Sequence, residues 1–316
     1  MKKFLEKHKI LFLTILTGII GAVVFICIYG VEVLDVTKDG WLYDADDLTQ
    51  HYMGWLFFRR ADWTFPIGMF DTLSYPNYAS IIFTDSIPLL AIIFKILSGI
   101  LPETFQYFGM FGFLCYILQG VFAFTLLRKY IKNKFYGILG SIFFIISPYL
   151  LQRMFWHNAL SSHFLILAAL CMLAYREKFK DKPLKKVLYW NLILLLGVTI
   201  HMYFLPMLLI IMLCTFVVEF IEEKKSYKSS LLVIEVFVAL ALFIIYILGG
   251  FTSNAINSTG IRYYNINLNT FFNPQGYSSI LQNLSTGTDG EYEAIGYLGV
   301  RNHINVFLIS SIYIAK

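Results

Sequence analysis

One uncharged run near the start of the chain constrains its fold more than any other feature. Residues Ile10 to Val31 carry no charge and follow a basic start, MKKFLEKHK. These 22 residues exceed the roughly 20 that an α-helix needs to span a bilayer. A signal peptide has a shorter apolar core and a small-residue cleavage site. We therefore expect an uncleaved membrane anchor with a cytoplasmic N-terminus.

The composition extends this conclusion to the whole chain. Hydrophobic residues make up 58% and charged residues 14% of the sequence, whereas soluble domains are about 25% charged. A net charge of +5 would suit nucleic acid in a soluble protein, but here the basic residues form short runs between apolar segments. We interpret them as topology signals and expect no nucleic-acid partner. The cysteines all lie in apolar runs without paired spacing, so neither a disulfide framework nor a cysteine metal site is expected.

The apolar runs predict an all-α polytopic membrane protein with a single transmembrane domain, because backbone groups in lipid must be satisfied within the segment. The predicted spans cover residues 10–31, 105–127, 135–151, 164–175, 187–201, 204–220 and 231–249. A large first outer loop occupies residues 32–104, and another outer loop occupies 250–302. Residues 303–316 are interpreted as the start of a further span, so we expect the chain to be truncated there.

One short apolar run, residues 86–101, needs a separate decision. It carries Lys95 near its middle and is followed by Pro102. The basic run RKYIKNK, which follows the span 105–127, should be cytoplasmic, and that requires an even number of crossings before it. We therefore predict that residues 86–101 form an interfacial helix in the outer loop, with Lys95 reaching water.

Acidic and aromatic residues mark the first outer loop as the place for chemistry. Asp46 and Asp47 lie in YDADD, and Gln50, His51 and Arg59 follow in TQHYMGWLFFRR. A carboxylate here can act as a general base, bind a divalent cation, or cap the next helix in a solvated turn. The mixture of rings, amides and cations that follows favours a groove for a sugar or a phosphate.

The second outer loop, QRMFWHNALSSH, adds cations. Arg153 and His157 are four residues apart, so on a helix they would share a face, and His163 ends the loop. Such groups can bind a phosphate or pyrophosphate, or they can reach lipid phosphates without further function. His201, at the turn HMYFLP, could join the same cavity, although a structural role is favoured.

The last outer loop, residues 250–302, is rich in Gly, Ser, Asn and Thr. We expect it to be mobile and able to cover a substrate groove. Its acids, Asp289, Glu291 and Glu293, are alternatives to those of the first loop.

Several segments together resemble a family of bacterial polytopic membrane proteins related to the GT-C class of membrane glycosyltransferases. The GT-C class has one N-terminal span, a large first outer loop with a catalytic acid and interfacial helices, and then a helical bundle. The resembling segments are DLTQHYMGWLFFR (47–59), SIIFTDSIPLLAIIFK (80–95), SPYLLQRMFWHNALSSHFLILAAL (147–170) and YEAIGYLG (292–299). A WWDYG-like oligosaccharyltransferase signature is absent from the sequence.

The resemblance implies a GT-C-like helical bundle and a glycosyl transfer reaction. The donor would be a polyprenyl-phosphate-linked sugar, and the acceptor would be a glycan, lipid or protein on the outer side of a bacterial plasma membrane. Asp47 would be the general base, with Asp46 as the second choice, and Asp85 would orient the acceptor or share a cation.

The resemblance also implies roles for the basic and polar residues. Arg153 and His157 would stabilise the leaving phosphate. Further substrate-contact candidates are His163, His51, Gln50 and Arg59. No residue is assigned as a metal ligand; Mg²⁺ or Mn²⁺ is allowed but not required.

Two other functions fit a polytopic membrane chain. One is a transporter or lipid flippase; such proteins often show internal repeats and charges at the membrane midplane, whereas this sequence shows no clear repeat and few charges within its predicted spans. A non-catalytic scaffold would not need YDADD and RMFWH on the same side of the membrane.

Overall fold

A computed structural model describes residues 2–43, 46–73, 75–222, 227–252, 264, 266–276, 278–287, 289–293 and 296. Within these residues it confirms a helical membrane protein, with ten α-helices and one two-stranded antiparallel sheet. The helices are α1 (Lys2–Tyr29), α2 (Asp46–Arg60), α3 (Pro88–Ile96), α4 (Phe108–Leu127), α5 (Lys134–Ile145), α6 (Pro148–Arg153), α7 (Phe164–Ala174), α8 (Pro183–Ile200), α9 (Phe204–Glu222) and α10 (Tyr227–Ile247), and the strands are β1 (Met69–Phe70) and β2 (Ala79–Ser80).

Six helical segments of the described chain are long and apolar enough to cross a membrane. They are His8–Tyr29, Phe108–Tyr130, Lys134–Arg153, Pro183–Ile200, Phe204–Glu222 and Tyr227–Ile247. Their lengths of 18 to 23 residues correspond to about 27–35 Å of helix, which matches the roughly 30 Å hydrocarbon core of a bilayer. Asn158–Ala174 is a shorter apolar helical segment. The further span predicted at residues 303–316 lies outside the described residues.

The chain divides into two compact units, Met1–Ser253 and Asn254–Lys316. In the second unit, Glu291 is 4% exposed. Its Oε1 accepts hydrogen bonds from Asn267 Nδ2 at 2.6 Å and from the Gly287 N–H at 3.0 Å. Its carboxylate therefore organises the 267–291 loop. The spans and the cluster described below belong to the first unit.

Local sequence explains where several helices begin. Pro88, Pro148 and Pro183 occupy the first positions of α3, α6 and α8, where the missing N–H costs no intrahelical bond. Asn133 caps α5, because its side chain accepts a hydrogen bond from the Phe135 N–H at 3.0 Å.

Helices α1 and α4 pack backbone against backbone. A Cβ on Gly21 would lie 2.2 Å from the Tyr116 carbonyl oxygen, and one on Gly120 would lie 2.2 Å from that of Thr17. Small residues permit such close approach between membrane helices. The first span is therefore an integral part of the bundle.

The segment from residue 32 to residue 107 folds over one end of the bundle. Gln106 Nε2 donates to the carbonyl of Val33 at 3.0 Å, next to the end of α1. Ser80 Oγ donates to the carbonyl of Leu248, just beyond α10, at 2.6 Å. Trp55 Nε1 donates to the carbonyl of Phe105, just before α4, at 2.9 Å. These bonds tie the first loop to three helix ends that share one side of the bundle.

Basic residues lie at the other end of the bundle. Arg176 pairs with Glu222 at the end of α9, and Lys186 pairs with Glu219. The Tyr175 hydroxyl donates to the carbonyl of Thr125, near the end of α4, at 2.9 Å. Because the 20 residues of α4 span about 30 Å, this basic end is about a membrane thickness away from the first loop.

Helix α3 has nine residues, or about 13 Å, which is too short to span the hydrocarbon core. The expectation that Lys95 reaches water is wrong, because the residue is only 4% exposed. Its Nζ lies 4.1 Å from the ring centroid of Phe58 and 4.5 Å from that of Trp63. Burial lowers the pKa of Lys95 to about 8, with the charge of Asp62 opposing the shift. Two aromatic faces thus replace water around this ammonium group.

Candidate functional site

Helix α2 carries the first two residues of a histidine–aspartate cluster. Asp47 and His51 are four residues apart on this helix and therefore share a face. The His51 imidazole is buried, whereas the Asp47 side chain is 47% exposed. One turn further on, a Cβ on Gly54 would lie 2.6 Å from Ser86 Oγ. Glycine at this position lets α2 approach the turn that bears Asp85.

The turn at residues 84–87 aims Asp85 at His51. Asp85 and Ile87 both have φ of 53°, a left-handed conformation that aspartate tolerates and that is a true outlier for isoleucine. Ser86 Oγ donates to the backbone carbonyl of His51 at 2.6 Å, and the Tyr107 hydroxyl donates to the carbonyl of Ser86. These two hydrogen bonds stabilise a left-handed backbone conformation that is otherwise unfavourable in free energy.

The two oxygens of Asp85 face two different histidines. His201 Nε2 lies 2.7 Å from Oδ1, and His51 Nε2 lies 3.5 Å from Oδ2. His201 follows α8, and its Nδ1 accepts a hydrogen bond from the Tyr203 N–H at 3.1 Å. Its hydrogen is therefore on Nε2 and is donated to Asp85. This bond leaves Oδ2 facing His51.

His157 completes the cluster from the loop after α6. Its Nε2 lies 3.5 Å from Asp47 Oδ2, and its ring centroid is 5.9 Å from that of His51. The expectation that Arg153 and His157 share a helix face is wrong, because α6 ends at Arg153 and Phe155 has a φ of 62°. The chain turns at Phe155, and Asn158 Nδ2 then anchors it to the carbonyl of Phe108 at 3.1 Å.

Burial and hydrogen bonding set the charges at the centre of the cluster. Burial lowers the pKa of His51 to about 4, although the Asp85 carboxylate opposes this shift. Burial acts to raise the pKa of Asp85, but the hydrogen bond from His201 and the neighbouring imidazoles outweigh it and hold that pKa below its usual value. At neutral pH an ionised carboxylate therefore faces a neutral imidazole.

Three side chains of the cluster could hold a metal ion. His51, Asp85 and His157 each offer a ligand atom, and the three atoms lie within 4.8 Å of one another. The sequence analysis assigned no metal ligand, although it expected Asp85 to orient the acceptor or share a cation. Two imidazole nitrogens and one carboxylate oxygen form a donor set found in transition-metal sites.

Arg59, which the sequence suggested as a substrate contact, donates hydrogen bonds to backbone carbonyls in the structure. Its guanidinium donates to the carbonyls of Glu103 and Pro102 at 2.9 and 2.7 Å. It also lies 5.9 Å from the ring centroid of Trp55. Arg59 therefore fixes the connection between α3 and α4.

The other predicted residues lie around the cluster or apart from it. Gln50 is exposed on α2, and Arg153 ends α6, four residues before His157. The His163 ring packs against that of Phe204, with centroids 6.4 Å apart. Asp46 is the first residue of α2, but its side chain is outside the part of the structure that is described.

His201 was expected either to join the cavity or, by preference, to have a structural role, and its specific partner, Asp85, was not predicted. The available signal was the break HMYFLP between two apolar runs. The structure separates α8 and α9 at this break and so places an imidazole at a helix end, against Asp85. Its contact with Asp85 could not be read from spacing along the chain.

Comparison with known proteins shows the family of the chain. No curated protein and no solved structure matches it. A family model described as a domain of unknown function (DUF6311) matches residues 18–314. Because this match covers nearly the whole sequence, the chain belongs to the DUF6311 family.

Proposed function

We propose that this chain is a membrane glycosyltransferase that moves a sugar from a polyprenyl-phosphate donor to an extracytoplasmic acceptor. One observation carries the proposal: the half-exposed Asp47 carboxylate lies 3.5 Å from His157 Nε2, beside buried His51 and partly buried Asp85. An accessible carboxylate next to an imidazole and a second acid can accept a proton and bind a polar substrate. The resemblance to the GT-C class supports the same reading by analogy.

The distribution of charge supports an outer location for this cluster. Arg176 and Lys186 lie at the far end of the bundle from the loop that carries Asp47. Basic residues flanking spans favour the cytoplasmic side, so the cluster would face outward. A lipid-linked donor could reach this end of the bundle from within the bilayer, and an acceptor could reach it from outside the membrane.

The proposed reaction balances without a further reactant. The acceptor hydroxyl gives its proton to Asp47 as its oxygen forms a bond to the anomeric carbon of the sugar. The bond between that carbon and the donor phosphate oxygen breaks, and the polyprenyl phosphate leaves with the electron pair. Arg153 and His157 would stabilise the negative charge that develops on the departing phosphate.

A donor-cleavage assay tests the proposal. The purified protein would be incubated in detergent with a panel of polyprenyl-phosphate sugars, and the released polyprenyl phosphate would be measured by mass spectrometry. In parallel, cell-envelope glycans would be compared between a deletion strain and strains complemented with wild type or Asp47→Asn. We expect donor cleavage and a glycan that only the wild type restores.

Two results would contradict the proposal. One is an unchanged envelope glycan profile on deletion together with no cleavage of any donor in the panel. The other is movement of intact lipid-linked sugar across proteoliposomes by both wild type and Asp47→Asn. The second result would instead support a lipid flippase.

A further inference from the structure

We propose that His51, Asp85 and His157 form a binding site for one divalent transition-metal ion of the Zn²⁺ type. The three side chains come from α2, from the turn at residues 84–87 and from the loop after α6. Their ligand atoms lie within 4.8 Å of one another. Three separate segments therefore bring their ligand atoms to one place.

The spacing of the best-placed pair fits a coordinated ion. Two ligand atoms that are each 2.0–2.1 Å from a tetrahedral ion stand about 3.4 Å apart. His51 Nε2 and Asp85 Oδ2 are 3.5 Å apart, which is longer than an ordinary hydrogen bond. The two groups are thus separated as ligands of a shared ion would be, and a small inward movement of His157 would complete the set.

The buried His51 imidazole lacks an ordinary hydrogen bond on the side that faces Asp85. His51 is 5% exposed, and its Nε2 lies 3.5 Å from Asp85 Oδ2. Buried polar groups nearly always have a close partner, and coordination of an ion by Nε2 would give this nitrogen one. The other ring nitrogen, Nδ1, has no hydrogen-bond partner among the described residues, and coordination by Nε2 would leave it as an N–H donor.

His201 behaves as a group that orients a metal ligand. It donates from Nε2 to Asp85 Oδ1 at 2.7 Å, while its own Nδ1 is occupied by the Tyr203 N–H. Ligating groups are commonly fixed by such outer hydrogen bonds. The bond holds the carboxylate with Oδ2 toward His51, which is the orientation that coordination requires.

The donor set selects the class of metal. Imidazole nitrogens suit Zn²⁺, Fe²⁺ and related ions, whereas Mg²⁺ prefers oxygen ligands and retains its water. Three protein ligands leave a tetrahedral ion one open position. Asp47, in contact with His157, lies next to the ligand set. A role for the ion in neutralising the donor phosphate rests on the proposed function, but the site itself does not.

Metal binding by the purified full chain tests this inference directly. The protein, purified in detergent with a histidine-free tag and stripped with a chelator, would be titrated with Co²⁺ alone and then with Zn²⁺ as competitor. We expect one Co²⁺ per chain, with the intense visible absorption of a low-coordinate site. Zn²⁺ should displace it, and a large excess of Mg²⁺ should not. The titration contains no sugar donor, so its result is independent of glycosyl transfer. The protein could transfer a sugar without binding Co²⁺, and it could bind Co²⁺ without transferring a sugar.

Variants locate the site. His51→Gln, Asp85→Asn and His157→Gln should each abolish stoichiometric Co²⁺ binding. His201→Ala should weaken binding about 10–100-fold, and His201→Gln, which retains an N–H donor, should recover part of that loss. His163→Gln is the matched control and should bind like wild type. Because His157 is more exposed than His51, its variant is the one that best preserves folding, which size-exclusion chromatography and thermal unfolding would check.

Three outcomes would overturn the inference. They are failure of the folded wild type to bind Co²⁺ or Zn²⁺ at millimolar concentration, unchanged stoichiometric binding in the folded His157→Gln variant, and binding of Mg²⁺ in preference to Zn²⁺.

Discussion

His201 fixes one oxygen of Asp85, with Nε2 2.7 Å from Oδ1. The Tyr203 N–H occupies the other ring nitrogen at 3.1 Å. A histidine at the end of a membrane span thereby holds a carboxylate that belongs to the first loop. Because the bond crosses from the bundle to the loop, the geometry of the cluster depends on the packing of α8 as well as on the loop itself.

Replacing Asp47 with Asn should remove transfer and preserve the fold. General bases contribute about 10²–10⁴-fold to a rate, so donor cleavage should fall by at least about 100-fold. The half-exposed side chain makes little contribution to packing. Exposed Asp62, changed to Asn, is the matched control and should retain cleavage. Full donor cleavage by Asp47→Asn would show that Asp47 is not the general base.

The orientation of the chain predicts which exposed positions an impermeant thiol reagent can reach. In a cysteine-free background on intact cells, Tyr75→Cys, at an 84% exposed position of the first loop, should be labelled. Lys132→Cys, exposed between α4 and α5, should be labelled only after lysis. Labelling of Lys132→Cys on intact cells would place the basic end outside and would contradict the outward-facing cluster.

Gly54 should not tolerate a side chain. A Cβ there would lie 2.6 Å from Thr84 Cβ and 2.6 Å from Ser86 Oγ, so Gly54→Ala must push α2 away from the Asp85 turn. Overpacking of this kind costs about 1–3 kcal/mol, and displacement of Asp85 should also slow donor cleavage. Gly99→Ala is the control, because nothing lies within 4 Å of its Cβ. Thermal unfolding in detergent measures the difference, and equal midpoints for the two variants would contradict the predicted clash.

Arg59 should matter for stability and not for chemistry. Arg59→Lys loses the planar fork that donates to the carbonyls of Pro102 and Glu103, and hydrogen bonds from a charged group are worth about 1.5–3 kcal/mol when buried. Because this guanidinium is partly solvated, we expect a smaller loss of about 1 kcal/mol. The cleavage rate per folded molecule should stay constant. If Arg59→Lys raised the KM for the donor and left the unfolding midpoint unchanged, Arg59 would be a substrate contact and the prediction would be wrong.

Lys95 should give the protein a pH-dependent stability. Its folded pKa of about 8 is below the ordinary lysine value of about 10.4. Between these values the unfolded chain binds more protons, so the free energy of unfolding should rise with pH. Lys95→Met removes the titrating group. Its unfolding midpoint should exceed that of wild type near pH 7, and the gap should close as pH rises above about 8. A gap that is constant with pH would contradict the burial argument.

The sequence predicted those features that depend on neighbouring residues along the chain. Hydropathy reveals a span such as residues 8–29 because each helix satisfies its own backbone. Asp47 and His51 were named as site candidates in the polar stretch that forms α2, although their shared helix face was not predicted. Both residues stood out as polar groups beside apolar runs.

Features that depend on packing between distant segments could not be predicted. The aromatic faces of Phe58 and Trp63 around Lys95 follow from the way α2, its following loop and α3 meet. The left-handed turn at Asp85 exists only because α2 and Tyr107 support it. No local pattern records either arrangement, so Lys95 was expected in water and the Asp85–His201 bond was not foreseen.

The close approach of α1 to α4 limits which apolar helices could replace α1. Gly21 and Gly120 let each helix rest on the main chain of the other. A generic apolar anchor of equal length would place a side chain at position 21 against the Tyr116 carbonyl, where there is no room for one. Swapping the first span for one from another membrane protein should therefore preserve insertion but loosen the docked loop, even though no residue of the cluster would have changed.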